Sequence, residues 1–279
     1  MLKIHGLLLI LLPLAATRAQ SLASVIETRL ITETAGGKPD TLVMKSITSA
    51  RRTRIDVSGS GTHVRPWAGL GTSQILIRSD SEYTITYLDS AKKTYWTVNM
   101  RSMLANIQKA IGFDMAPAAA GGDTLTIDSL GVGESVMGHS TVHFRMRSVS
   151  LMNLNVLGNA TTLTTTQTTD YYVAPGVRLD SLYKAQRSST PALPIPVIPT
   201  LSTGMKALAA QRAAATKRMR KIGSVLKTVT QSTTTVPGGT RTQRRSTEVL
   251  SYRAASAPDS LFVVPVGYTK TIPGFAPTP

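Results

Sequence analysis

The sequence predicts a mainly β protein with some α, built as one long antiparallel sheet that carries two helical insertions. Three observations predict it. Short runs alternate apolar and polar residues between clusters of turn residues, two segments switch to a three-and-four spacing, and β-branched threonines crowd much of the rest. The 279 residues give room for a sizeable core in a single domain, and 42% hydrophobic content excludes wholesale disorder. The chain has no cysteine, which removes disulfides, thiolate metal sites and cysteine nucleophiles together.

Residues 1–19 read as a signal peptide. Met1-Leu2-Lys3 supplies a positive start, Gly6 to Ala16 an apolar stretch broken by Pro13, and Thr17-Arg18-Ala19 the small residues a signal peptidase reads, so cleavage is expected after Ala19. The apolar run is about half the roughly 20 residues a membrane span needs, and the expected product is a soluble exported protein, periplasmic or extracellular. Losing Lys3 and Arg18 lowers the net charge from +16 to +14.

Residues 20–279 then read as one domain. Leu22 to Thr34, Thr41 to Thr48 and Arg51 to Val57 make three strands, with Gly36-Gly37-Lys38-Pro39-Asp40 as the first loop. Ile75 and Ile77, then Tyr83, Ile85 and Tyr87, point one way by period two, and the aspartate and serine clusters at 78–82 and 88–92 read as hairpin connections. Thr94 to Val98 completes a six-stranded meander. From Asn99 to Ile111 the period changes: Met100, Met103, Leu104, Ile107 and Ile111 recur at three and four, with Asn99 or Ser102 as N-cap and Gly112 as stop. Asp123 to Leu130, Thr141 to Ser148 and the threonine-rich Thr161 to Val173 resume strand character.

Four prolines, Pro191, Pro194, Pro196 and Pro199, make 190–200 an extended connection. Beyond it, residues 201–223 carry an apolar stripe, Leu201, Met205, Leu208, Ala215, Met219 and Ile222, continued in the same spacing to Leu226. Only Arg212 interrupts it. The stripe either covers the core or lies on a membrane surface; abundant alanine and absent aromatics favour covering the core. Val225 to Val236 and Thr240 to Tyr252 flank Pro237-Gly238-Gly239, a hairpin turn.

Charge is concentrated. No acidic residue stands between Asp180 and Glu248, a segment holding Lys184, Arg187, Lys206, Arg212, Lys217, Arg218, Arg220, Lys221, Lys227, Arg241, Arg244 and Arg245. Such a field is either a solvated face or an attractor of polyanions and anionic head groups. Nucleic acid is an unlikely partner, because the stretch from Lys184 to Arg245 has no aromatic residue for base stacking.

Catalytic chemistry is sparse. His63, His139 and His143 are scattered, and on a strand His139 and His143 stand about 13 Å apart, too far for one metal ion. Gly131-Val132-Gly133 lacks the third glycine of a dinucleotide fingerprint and reads as a turn. The carboxylates, Glu134, Asp170 and Asp180 among them, mostly fall at expected strand ends or turns, without a close pair. No cofactor and no metal is expected; the enzymatic alternative is limited to His139, His143 and a turn carboxylate such as Glu134.

Taken in order, Arg54-Ile55-Asp56, Ile75 to Asp80, Tyr87-Leu88-Asp89, Lys92 to Tyr95, Gly133 to His139 and Leu261 to Tyr268 resemble an uncharacterised family of exported bacterial proteins, itself similar to LolA-like periplasmic lipoprotein carriers. The resemblance runs from about Ser21 to Tyr268. It implies a strongly curved, incompletely closed half-barrel sheet with helices over its concave face, where carriers shelter acyl chains, and it carries over no catalytic residue. The proline link with its basic helix, and Gly138-His139 in place of the usual Gly-Tyr, depart from the pattern.

The expected function is therefore non-enzymatic binding of a lipid-like or acylated ligand. Met100, Met103, Leu104, Ile107, Leu201, Met205, Leu208, Met219 and Ile222 would line the apolar site, since methionines suit an adaptable lining. Arg212, Lys217, Arg218, Arg220 and Lys221 would face an anionic head group or membrane. Two alternatives remain open here: the helices fill the concavity as ordinary core, or the protein is an envelope module docking on a polyanion or acidic partner through its basic C-terminal half.

Overall fold

A computed structural model describes residues 20–49, 52–60, 74–78, 83–99, 102, 124–156, 159–179, 203–236 and 238–271. The expected signal peptide, the proline connection at 190–200 and nearly all of the helix expected over 99–111 lie outside them. Among the described residues the fold is mostly β with one long helix.

The first six strands follow the expected meander: β1 (Gln20–Thr34), β2 (Asp40–Ser49), β3 (Arg52–Ser60), β4 (Gln74–Arg78), β5 (Thr84–Asp89) and β6 (Thr94–Asn99). Next come β7 (Thr124–Val132), β8 (Val142–Val156) and β9 (Asn159–Pro175), then helix α1 (Thr203–Ile222), β10 (Gly223–Val236) and β11 (Gly239–Pro258), a 3₁₀ turn over Asp259–Phe262, and β12 (Thr269–Lys270). All twelve strands form one open sheet in the order β12-β6-β5-β4-β3-β2-β1-β11-β10-β9-β8-β7, which does not close into a barrel. Neighbours pair antiparallel except β12, which lies parallel to β6.

Three details depart from the sequence reading. Tyr83 sits before β5 at φ 43 and so does not share the period of Ile85 and Tyr87. Leu226 belongs to β10 rather than to the helical stripe, at a register shift between Val225 and Lys227. The strand expected to end at Ser148 runs on to Val156, because the threonines of β9 give it a partner along that whole length.

Cross-strand partners share a face and alternate residues swap faces, so the register sorts the side chains. One face carries an apolar row across seven strands, Tyr252, Ile26, Ser46, Ile55, Ile75, Tyr87 and Trp96, interrupted only by the serine. Tyr87 and Trp96 stack there with centroids 4.0 Å apart. The other face carries charged rows, one of them His143, Tyr172, Lys227, Glu248 and Arg29. Toward β6 this second face also buries apolar side chains, Val25, Leu76 and Leu88, and Ala23 on the same face packs with Ala257 and Phe262, so both sides of the sheet meet a core there.

Helix α1 packs on the apolar face, against β7, β9 and β10. Ala215, Met219 and Ile222, spaced four and three apart, turn inward, and Met219 meets Phe144 and Val173. The guanidinium of Arg178 donates to the carbonyls of Arg220 and Lys221, closing the helix C-terminus with a cation. A second cluster gathers Ile26, Val136, Ala174, Val177, Leu179, Leu226 and Val249, and a third joins Ala23, Ala257 and Phe262.

Candidate functional site

The residues expected to line an apolar site separate into three groups. Met100, Met103, Leu104, Ile107 and Leu201 lie outside the described residues; of the segment around them, Asn99 Oδ1 accepts the backbone N–H of Ser102 at 3.0 Å. Met205 and Leu208 stand on the first turns of α1, where the backbone alone is described. Met219, only 3% exposed, is packed as core against the sheet, with Ile222 partly buried beside it. The end of the apolar face under α1 is therefore filled by side chains. Beyond α1 the same face continues over β1 to β6, where Met44, Ile55, Ile75 and Ile85 are half-buried.

The basic residues divide as well. Lys217, Arg218, Arg220 and Lys221 are exposed on the outer side of α1. Among the described residues no carboxylate pairs with Lys217, Arg218 or Lys221. Arg212 turns the other way: its Nη2 donates to Ser148 Oγ on the apolar face at 2.9 Å, and its Nε is buried without an acceptor.

The opposite face holds a dense ion network that sequence reasoning missed. Asp170, in the middle of β9, accepts Arg145 Nε at 2.7 Å and Nη2 at 3.2 Å, and also His143 Nε2 at 2.8 Å. Burial pushes the Asp170 carboxyl up, but the hydrogen bonds and charges of Arg145 and His143 outweigh it and hold the group below its ordinary value. His143 stacks on Tyr172 with centroids 4.8 Å apart, Lys227 lies over the other ring and pairs with Glu134, and Arg29 pairs with Glu248 at 2.9 Å. Gly133 fits closely at this spot, since a methyl there would stand 2.5 Å from Thr141 Oγ1, 3.1 Å from Tyr172 Cδ1 and 3.3 Å from His143 Cβ.

Two concavities open on this face. One of about 310 Å³ is lined by Arg145, Arg147, Arg244 and Asp170, the other of about 520 Å³ by Arg52, Arg78, Leu76 and Phe262. In the first, each arginine has a carboxylate partner, Asp170, Asp128 and Glu33 respectively; in the second, Arg52 pairs with Asp259. The charges are largely matched within the protein.

Of the residues of the enzymatic alternative, His143 bonds Asp170, Glu134 pairs with Lys227, and the backbone of His139 bridges to Val136 in a tight hairpin. Among the described residues no group of three or more His, Asp or Glu side chains is placed to hold a metal, and no helix is long and apolar enough to cross a membrane. In class this is a single open β-sheet with a basic helix across one end. No family model matches the chain, and no curated protein matches it.

A depressed carboxyl stabilises the fold at pH values above its unfolded-state pKa, and that contribution is lost as pH falls through the folded value. Asp170→Asn is therefore expected to cost about 1–3 kcal/mol at pH 7, the price of leaving Arg145 and His143 without their acceptor. The deficit against wild type should shrink as pH drops below the ordinary carboxyl value of 3.8. Urea melts at neutral and acid pH measure both; a deficit that stays constant down to pH 2 would contradict the assignment.

Proposed function

We propose that this is a non-enzymatic exported binding protein that shelters an acyl chain or lipid-like ligand against the apolar face of its sheet, in the manner of LolA-like carriers. The observation that carries the reading is the row from Tyr252 to Trp96, an oily strip broken only by Ser46 on one side of an open sheet. Ile26, Tyr87 and Trp96 of that row are buried and Ile55, Ile75 and Tyr252 half-buried, and an apolar lining with few polar groups around it is what an acyl chain requires. In this reading the sheet coils into a half-barrel with the apolar face inside, and α1 closes one end.

Protein recovered after export from its native host should carry lipid detectable by mass spectrometry, and should bind a fluorescent acyl probe. Met44→Asp, on the apolar face, is expected to weaken the probe at least about tenfold, or roughly 1.4 kcal/mol. Val43→Asp, the next residue but on the other face, should leave it nearly unchanged. Circular dichroism should show that both variants keep their strands. Absence of lipid together with absence of probe binding would reject the proposal.

A second reading is favoured by the unpaired cations Lys217, Arg218 and Lys221 on the outer side of α1: docking on an anionic membrane, polyanion or acidic partner. Salt separates the two. Docking through exposed charge collapses as ionic strength rises, whereas acyl burial persists.

A further inference from the structure

The outer cations of α1 face water, and Arg29, Arg54, Arg145 and Arg244 on the charged face have carboxylate partners. Arg212 has neither environment. It occupies the one polar position of the inward stripe, half-buried, with Nη2 bonded to a neutral serine hydroxyl and Nε buried without an acceptor. Among the described residues no carboxylate pairs with it, in contrast to Arg29, Arg52, Arg54 and Arg145. Its own helix and the strand that follows supply none, since the sequence from Asp180 to Glu248 has no acidic residue between them. The neighbouring acid is the Tyr171 phenol, whose pKa burial raises more than the charge of Arg212 lowers it, so it stays neutral.

A guanidinium is always charged, and drawing it out of water without an anion is unfavourable unless something compensates. Buried donors left without acceptors are rare in folded proteins. Ser148 stands two residues along β8 from buried Met146 and on the same face, so Arg212 sits where the oily surface turns polar. The unused Nε–H, with the neighbouring Nη hydrogens, matches the two oxygens of a carboxylate or phosphate.

We propose that Arg212 receives the anionic end of the ligand, making this a site for a single-chain amphiphile that ends in a carboxylate or phosphate. The inference rests on the acyl-binding reading and adds the head-group chemistry to it. Oleate, oleyl phosphate and oleyl alcohol share one chain and differ in the head, so competition of each against a fluorescent acyl probe isolates the head-group contribution. Wild type should prefer at least one of the two anions over the alcohol by about tenfold or more, and the better of them identifies the head group. Arg212→Met should shrink that preference to within about twofold while leaving the alcohol's affinity intact, and Lys217→Gln with Arg218→Gln on the outer face should leave it unchanged.

Full retention of the preference in Arg212→Met overturns the inference, as does a wild type that binds all three alike; acyl binding survives either result. Failure of all three, the alcohol included, overturns acyl binding itself and the inference with it. Arg212→Lys guards against a folding artefact: it keeps the charge but loses the fork, and should retain only part of the preference.

Discussion

Gly223→Ala is expected to destabilise the protein by at least the upper end of the about 1–3 kcal/mol typical of overpacking. Gly223 joins the last residue of α1 to β10 and pairs with Pro175 of β9. A methyl built on it would overlap the carbonyl oxygen of Ala174, approach that carbonyl carbon to 2.6 Å and reach within 3.2 Å of Pro175 Cα. All three atoms are backbone, so relief requires β9 and β10 to part. They would part where Ala174 and Val173 are fully buried and Ser224 Oγ accepts the N–H of Leu179 at 2.8 Å. At an unstrained site the same change stabilises by about 0.4–1 kcal/mol through the unfolded chain, so the sign alone is diagnostic. A thermal melt should show a fall of at least about 6 °C; an unchanged or raised Tm would mean that the helix-to-strand junction is not packed as described.

Phe144→Ala should cost about 3–5 kcal/mol and lower Tm by roughly 10 °C. Phe144 fills the seam between α1 and the sheet, against Met219 and Val173. Its removal leaves a void that neither β8 nor β9 can close, because both are held by a long ladder of backbone bonds. Met219→Ala acts on the same seam from the helix side, so the double variant should lose less than the sum of the singles. Hydrogen exchange should rise first at 215–222. Additive losses, or exchange that rises evenly over the whole sheet, would contradict the packing of α1 on that face.

Much of the fold was legible because it is written locally. Ile75 and Ile77 announce a strand by their alternation, and Ala215, Met219 and Ile222 announce a helix face by theirs, with no knowledge of what they touch. Pro237-Gly238-Gly239 marks a hairpin because few sequences tolerate φ of 105 and 159 at its glycines. The exposure of Lys217, Arg218, Arg220 and Lys221 follows from standing opposite that stripe. The position of Arg212 was equally visible, at the skipped step of the stripe, yet grouping it with the outer cations by charge hid that it turns inward.

The charged face was not legible in the same way. His143, Arg145 and Arg147 alternate along one strand and so share a face, which is a local signal. That Asp170 meets two of them depends on β8 lying beside β9 in one register and no other. Glu248 finds Arg29 across a separation of 219 residues, and β12 finds β6 from the far end of the chain.

What the sequence by itself determined is the kind and position of the elements, the oily side of each, and the uneven spread of charge, because periodicity acts over a few residues and requires no partner. What the tertiary structure decided is which oily sides join into one strip, which charges neutralise each other and which are left over. A one-residue slip between strands would exchange the faces and rewrite all three, and the register that forbids such a slip exists only once distant strands have met.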